Sequence, residues 1–260
     1  MKIGIIGGGN VARFLLKSIN VDRRLPNCSV ESVFLRRPEV ASEWECDYGT
    51  RIYTDLDAFL SSGIDIVVEA ATVQAVREYA EQVIARRKDL VIISVGALVD
   101  QELYQRLNEL CRQLGTRILL PSGAIGGLDV IRSAMAMQQL DEVSLTTRKP
   151  PQSLLGRMVE QEEVVFEGSA TEAISRFPQN INVSIVLSLA GLGCDKTRVK
   201  IVADPRVTKN IHSIEAIGSF GQLCVKLENN PMPENPKTSH LAALSVLSTL
   251  KKQTERILIG

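Results

Sequence analysis

The sequence predicts an α/β protein, an N-terminal doubly wound parallel sheet joined to an α+β domain. Three observations predict it. A strand, a glycine turn and a helix start open the chain, apolar runs then alternate with helical patterns to about residue 120, and from about Leu140 the alternation gives way to short β-type segments around one apolar helix. The 260 residues exceed the usual size of a single core. The expected division is 1–121 with a return over about 236–260 for the sheet domain, and 122–235 for the second domain.

Residues 2–6 (KIGII) are a short apolar run with β-branched residues. They lead into Gly7-Gly8-Gly9-Asn10-Val11-Ala12, after which Phe14, Leu15, Leu16 and Ile19 take helical spacing. Read as G-x-G-x-x-A, Gly7 permits the tight turn, Gly9 lets the backbone approach a pyrophosphate, and Ala12 lets the helix pack closely on the strand. The N–H groups of the helix start, at Asn10 and Val11, then face the anion. Glycine turns also serve purely structural ends, but this strand-turn-helix context favours a dinucleotide site.

A second strand is expected at 30–35, closed by Arg36-Arg37-Pro38. An acid at this strand end accepts a ribose 2′-hydroxyl, whereas arginine suits a 2′-phosphate. Arg36 and Arg37 therefore allow NADP beside NAD, the plain alternative being a solvated turn; Glu31 has about the right spacing but falls at the strand's beginning. Residues 64–69 (IDIVVE) read as a parallel strand covered on both faces, followed by Val73, Val76, Ala80, Val83 and Ile84 at helical spacing. Residues 90–95 give the next strand, Leu103, Leu107, Leu110 and Leu114 a helix, and 117–120 (RILL) another strand. Ligands of such sheets bind at the carboxyl ends of the strands. Here those ends carry small residues, Ala70 and Ala71 among them, which leave room for a nicotinamide ribose or simply turn the chain.

Beyond Leu140, β-type segments fall at 143–147 (VSLTT), 164–166, 199–202 and 211–225, with a helical stretch at 181–192. A last helix is expected over 238–250, with Thr238 and Ser239 as plausible N-caps.

Thirty basic and thirty acidic residues cancel without long runs of either sign, so nothing points to nucleic acid or an anionic membrane as partner. No stretch approaches the roughly 20 apolar residues of a membrane span, and the chain enters its first strand at once, which leads us to expect a cytoplasmic protein. Five scattered cysteines read as reduced, mostly buried thiols. With two distant histidines they form no plausible metal site, and no P-loop or G-x-S-x-G elbow is present.

Chemistry near neutral pH centres on those two histidines, His212 and His240. Strand alternation puts Asn210 and His212 on one face and Ile211 on the other; His240 falls in the first turn of the last helix, where a surface role is expected. Three stretches fit an anionic small molecule: Arg148-Lys149-Pro150-Pro151, Lys237-Thr238-Ser239, and the turn at 122–127 (SGAIGG). Each has a plainer reading as a solvated turn, a helix cap or a hinge. Together they would suit a dicarboxylate.

The whole chain resembles the L-aspartate dehydrogenases of the NadX type. The resemblance rests on GIIGGGNVA (4–12), LPSGAIGGLD (120–129), TTRKPP (146–151), FPQNINVSIVLSLAGLG (177–193), VADPRVTKNIHSI (202–214) and NPKTSHLAALS (235–245). It implies a Rossmann domain with an α+β catalytic domain, usually as a homodimer. The implied activity is NAD(P)-dependent conversion of L-aspartate to iminoaspartate, which hydrolyses to oxaloacetate and ammonia or feeds NAD biosynthesis. By the same resemblance His212 is the active-site residue, Ala124 and Asn182 contact the cofactor, and Asn210 holds the substrate or orients the imidazole. Arg148, Lys149, Lys237, Thr238 and Ser239 are the candidates for the two carboxylates. The competing readings are another imine or carbonyl reductase of dihydrodipicolinate-reductase-like architecture, whose lysine-and-histidine signature is not evident, and a non-catalytic NAD(P)-sensing module.

Overall fold

A computed structural model describes residues 1–37, 41–177, 181–232 and 235–259, without the side chains of 41 and 235–237. The chain divides into two compact units, Met1–Pro121 with Val246–Ile259, and Ser122–Ser245. The chain re-enters the first unit inside its last helix, later than the residue of about 236 read from the sequence.

In the first unit β1 (Lys2–Ile6) runs into α1 (Asn10–Leu16), which continues as one wider turn over Lys17–Val21. There follow β2 (Ser29–Phe34), α2 (Ala41–Tyr48), β3 (Arg51–Tyr53), α3 (Leu56–Leu60), β4 (Ile66–Glu69), α4 (Val73–Ala85), β5 (Asp89–Ile92), α5 (Gln101–Leu114) and β6 (Ile118–Leu119). The strands pair in parallel in the order β3-β2-β1-β4-β5-β6. That is the Rossmann order, with its reversal between β1 and β4. All four residues of β4 are buried, as expected of a strand covered on both faces. Ala12, Leu15, Leu16 and Ile19 pack on Ile3, Ile5, Val33 and Val68 in one continuous core.

The strand β3 and the helices α2 and α3 were not legible in the sequence. A three-residue, partly exposed strand has too little alternation to register, and among its described side chains α2 carries a single fully buried anchor, Trp44. Helix α3 is set instead by a local signal, Asp55, whose carboxylate accepts from Ala58 N at 2.7 Å.

In the second unit come α6 (Leu128–Ala136), β7 (Glu142–Lys149), α7 (Pro151–Leu155), β8 (Glu163–Ser169), α8 (Ala170–Arg176), α9 (Asn182–Ala190), β9 (Arg198–Ala203), β10 (Asn210–Gly218), β11 (Gly221–Asn229), β12 (Pro231–Met232), β13 (Asn235–Ser239) and α10 (His240–Lys252). The mixed main sheet has the order β11-β10-β7-β9-β8. One face carries Val143, Leu145, Ile214 and Ala216, which form a core with Ile125, Ile131, Ala134 and Leu187 from α6, α9 and the loop before α6.

Three expectations change. The run at 211–225 is a hairpin of two strands paired from Asn210↔Asn229 to Gly218↔Gly221. Thr238 and Ser239 end β13, and the Ser239 hydroxyl is buried without a hydrogen-bond partner among the described residues, so it does not cap α10. Nor are the thiols mostly buried: Cys28 is buried, Cys111 and Cys194 are partly exposed, and Cys46 and Cys224 are exposed. Among the described residues no helix is long and apolar enough to cross a membrane, and no cluster suits a metal ion.

Gly7 adopts φ +114°, and a Cβ there would stand 2.6 Å from the Ala70 carbonyl oxygen. Gly7→Ala should therefore lower stability by about 1–3 kcal/mol. A urea midpoint shifted at unchanged slope checks this, and Gly9→Ala, with only the Ala70 oxygen at 4.0 Å, should shift it less.

Candidate active site

At the carboxyl edge of the first sheet the turn after β1 meets the turn after β4. A Cβ on Gly7 would also lie 2.9 Å from the Ala71 side chain, and one on Gly8 2.9 Å from Leu35. Gly7 is thus required by the turn itself, while Gly9 leaves open space beside the start of α1. Gly9 offers no side chain to cap that helix, so the first N–H groups at Asn10 and Val11 have no capping side chain among the described residues. This edge fits a dinucleotide phosphate: a tight turn, an open glycine and helix N–H groups. Arg36 and Arg37 follow β2 and are exposed.

The edge is fastened by a residue that sequence reasoning passed over. Glu69, buried at the end of β4, accepts from Ala71 N at 2.8 Å, Ser94 N at 2.9 Å, Ile93 N at 3.2 Å and Ser94 Oγ at 2.8 Å. One carboxylate therefore ties the turn after β4 to the turn after β5. Desolvation raises its pKa, with the four hydrogen bonds opposing. Its signal was an acid ending an otherwise apolar run.

In the second unit, residues opposite one another on paired strands share a face. His212 pairs with Thr147 of β7 and Leu227 of β11, and Thr147 in turn with Ile201 of β9. This is the face of Leu145 and Ile214, and the apolar neighbourhood leaves His212 only 5% exposed. Its Nδ1 lies 3.0 Å from Thr147 Oγ1. Burial, and then the charge of Lys149, hold the imidazole pKa down to about 4. Lys149 lies two residues beyond Thr147 on the same face, and burial lowers its own pKa.

The loop between β6 and α6 is held over this face. Asn229, opposite Asn210, donates from Nδ2 to the Ala124 carbonyl at 3.1 Å, and Ser245 Oγ accepts from Gly123 N at 3.1 Å. A Cβ on Gly123 would sit 3.8 Å from Val183, which places the loop against the first turn of α9, where Asn182 stands exposed.

A family model described as "Aspartate dehydrogenase, C-terminal" matches residues 129–253, and one described as "Homoserine dehydrogenase, NAD binding domain" matches residues 7–121. The L-aspartate dehydrogenase of Methanosarcina barkeri is 40% identical over 276 residues, covering 100% of this chain and 99% of that protein. That of Methanospirillum hungatei is 42% identical over 260 residues, with the same coverage. The chain belongs to the L-aspartate dehydrogenase family. The crystal structure of aspartate dehydrogenase from Thermotoga maritima superposes with a TM-score of 0.82 at 33% identity, covering 100% of this chain and 99% of that one.

Within this family member, the sequence-derived candidates separate by strand face. Asn210, His212 and Lys149 share one. Arg148 lies on the other, where its Nη1 donates to Glu162 and Asp204, both at 3.0 Å. Arg206 completes that cluster and, ahead of the other contacts, holds the Asp204 pKa down to about 2. Thr238 and Ser239 stand at the end of β13; the Lys237 side chain lies outside the described residues. Besides Glu69, sequence reasoning missed Thr147, Asn229 and Ser245. Their only signal was polarity at positions where a two-residue or helical period calls for an apolar side chain.

Glu69→Ala would leave the Ala71 and Ser94 N–H groups without their carboxylate acceptor. The expected loss is about 3 kcal/mol or more, read as a lowered urea midpoint, with Glu69→Gln retaining part of it.

Proposed function

We propose that this family member oxidises L-aspartate with NAD or NADP to iminoaspartate, which water converts to oxaloacetate and ammonia. The observation that carries the reading is a buried imidazole, His212, on one strand face with a half-buried cation, Lys149. Gly7, Gly9, Asn10, Val11, Ala70 and Ala71 hold the dinucleotide in this reading, with Ala124 and Asn182 as further contacts, and Arg36 and Arg37 accommodate a 2′-phosphate. When bound, the nicotinamide supplies the acceptor for the hydride that leaves the aspartate Cα.

The remaining work falls to the chain's own side chains. His212 is neutral at physiological pH, so its ring can accept a proton from the substrate amine or from the water that attacks the imine. A substrate carboxylate beside Lys149 cancels part of the charge that depresses His212, so substrate binding raises the base toward its working range. Asn210, from the same face, orients imidazole or substrate. Thr238, Ser239 and Lys237 are the candidates for the second carboxylate; Arg148, already paired with Asp204 and Glu162, contributes by fixing the end of β7. The homodimer, the cytoplasmic setting and the supply of an NAD precursor belong to the same proposal.

The deciding experiment follows NADH and NADPH formation with a panel of L-amino acids and D-aspartate. Turnover of L-aspartate, nearly abolished in His212→Ala with nucleotide affinity kept, is the expected result; nucleotide binding without turnover of any amino acid overturns the reading.

The pH dependence has a definite sign. Native His212 stays unprotonated down to about pH 4, so the acid limb of kcat/KM for the free enzyme lies below the ordinary imidazole value of 6.5. The unfolded chain takes up that proton first, so the same group lowers stability as pH falls from 6.5 through 4. Lys149→Met should move the acid limb to higher pH and raise KM for aspartate by about tenfold or more, the loss of one charge-assisted hydrogen bond. Initial rates across pH test both.

A further inference from the structure

The base proposed above has two ring nitrogens, and only one can hold the lone pair that accepts a proton. Neutral imidazole carries its hydrogen on Nδ1 or on Nε2, and the partner of one nitrogen decides the state of the other. Nδ1 is tied to the protein, 3.0 Å from Thr147 Oγ1, which leaves Nε2 to meet a reactant. The contact is built into the sheet: Thr147 and His212 are directly opposed in the β7–β10 ladder, both are buried, and both strands continue past them. A threonine at this register position is unusual among its neighbours, since Val143 and Leu145 before it on the same face are core residues. Valine would fill the same space and suit a strand equally well. The hydroxyl is the one feature that distinguishes the threonine here.

We propose that Thr147 is the positioning residue of His212: its Oγ1 accepts the Nδ1–H, which fixes the neutral ring as the Nδ1–H tautomer and leaves the Nε2 lone pair for the proton. The inference rests on His212 acting as the base. Were the hydroxyl instead to donate to Nδ1, the hydrogen would sit on Nε2 and the ring could not take up a proton there. Thr147 also sets the ring's orientation, because a hydrogen bond in the plane of the imidazole fixes its second side-chain torsion. When Nε2 accepts a proton, the Nδ1–H remains bonded to Oγ1, so the resulting imidazolium keeps one of its two donors satisfied inside the apolar face.

The tautomer can be read directly. The chain has two histidines, so long-range ¹H–¹⁵N correlation spectra of the ¹⁵N-histidine-labelled protein, assigned with His240→Gln, show which nitrogen of His212 carries the hydrogen. The expected result in the wild type is Nδ1–H. Thr147→Val should shift the ring toward the Nε2–H form and lower kcat/KM for aspartate by about tenfold or more, part of the 10²–10⁴ that a general base contributes. Thr147→Ser should restore both, and nucleotide affinity should stay unchanged throughout. A wild-type ring in the Nε2–H form overturns the proposal even if the valine variant does not fold. So does a folded Thr147→Val with wild-type tautomer and wild-type kcat/KM. If the wild type turns over no amino acid, the base reading of His212 fails; the spectra then still decide whether Thr147 sets the tautomer.

Discussion

The antiparallel register of β10 against β7 governs the second unit and the candidate site proposed in it. Opposed residues share a face, so the single pairing of His212 with Thr147 also brings Lys149 onto the face of Asn210 and sends Arg148 to the other side. A slip of one residue would exchange the two sets completely. The same register sets the imidazole on the face of Leu145 and Ile214, and its burial is the main reason its pKa falls to about 4. Packing and acid-base character are here one fact.

The two faces of that sheet are different electrostatic environments. On the covered face a half-buried Lys149 stands beside the buried His212, and the charge of one disfavours the charge of the other. On the opposite face Arg148, Arg206, Asp204 and Glu162 pair among themselves, and Asp204 is held ionised far below the usual carboxylate range. Two adjacent residues of one basic turn, Arg148 and Lys149, therefore have different work. The first anchors the strand end; the second modulates the histidine. In the first unit the corresponding organising group is Glu69, whose carboxylate collects donors from two successive crossover turns and so fixes the edge at which Gly7 meets Ala70 and Ala71.

Much of the fold could be read directly from period and punctuation. β1, β4, α4 and α5 are long or apolar enough for their spacing to be unambiguous, and the glycine turn announces the first crossover. The elements that escaped are those stabilised by few residues: β3 by edge pairing with β2, α2 by Trp44, and the turn between β10 and β11 by glycines inside a run whose apolar alternation continues on both sides. Thr238 and Ser239 resembled helix caps because the residue types suit that role, yet the backbone keeps them in a short strand until His240.

What the sequence determined by itself was the class of architecture, the family, the glycine turn with its conformational demand at Gly7, and the identity of the histidine worth attention. Each rests on local backbone chemistry or on patterns that a linear chain displays. What tertiary structure alone decided was company: that Thr147 meets His212, that Asn229 and Ser245 hold the loop at Gly123 and Ala124, that Glu69 joins two turns, and that Arg148 and Lys149 part across a sheet. These contacts span 25 to 122 positions of sequence, and their partners are chosen by strand register and layer packing, for which no single stretch of the chain carries a mark.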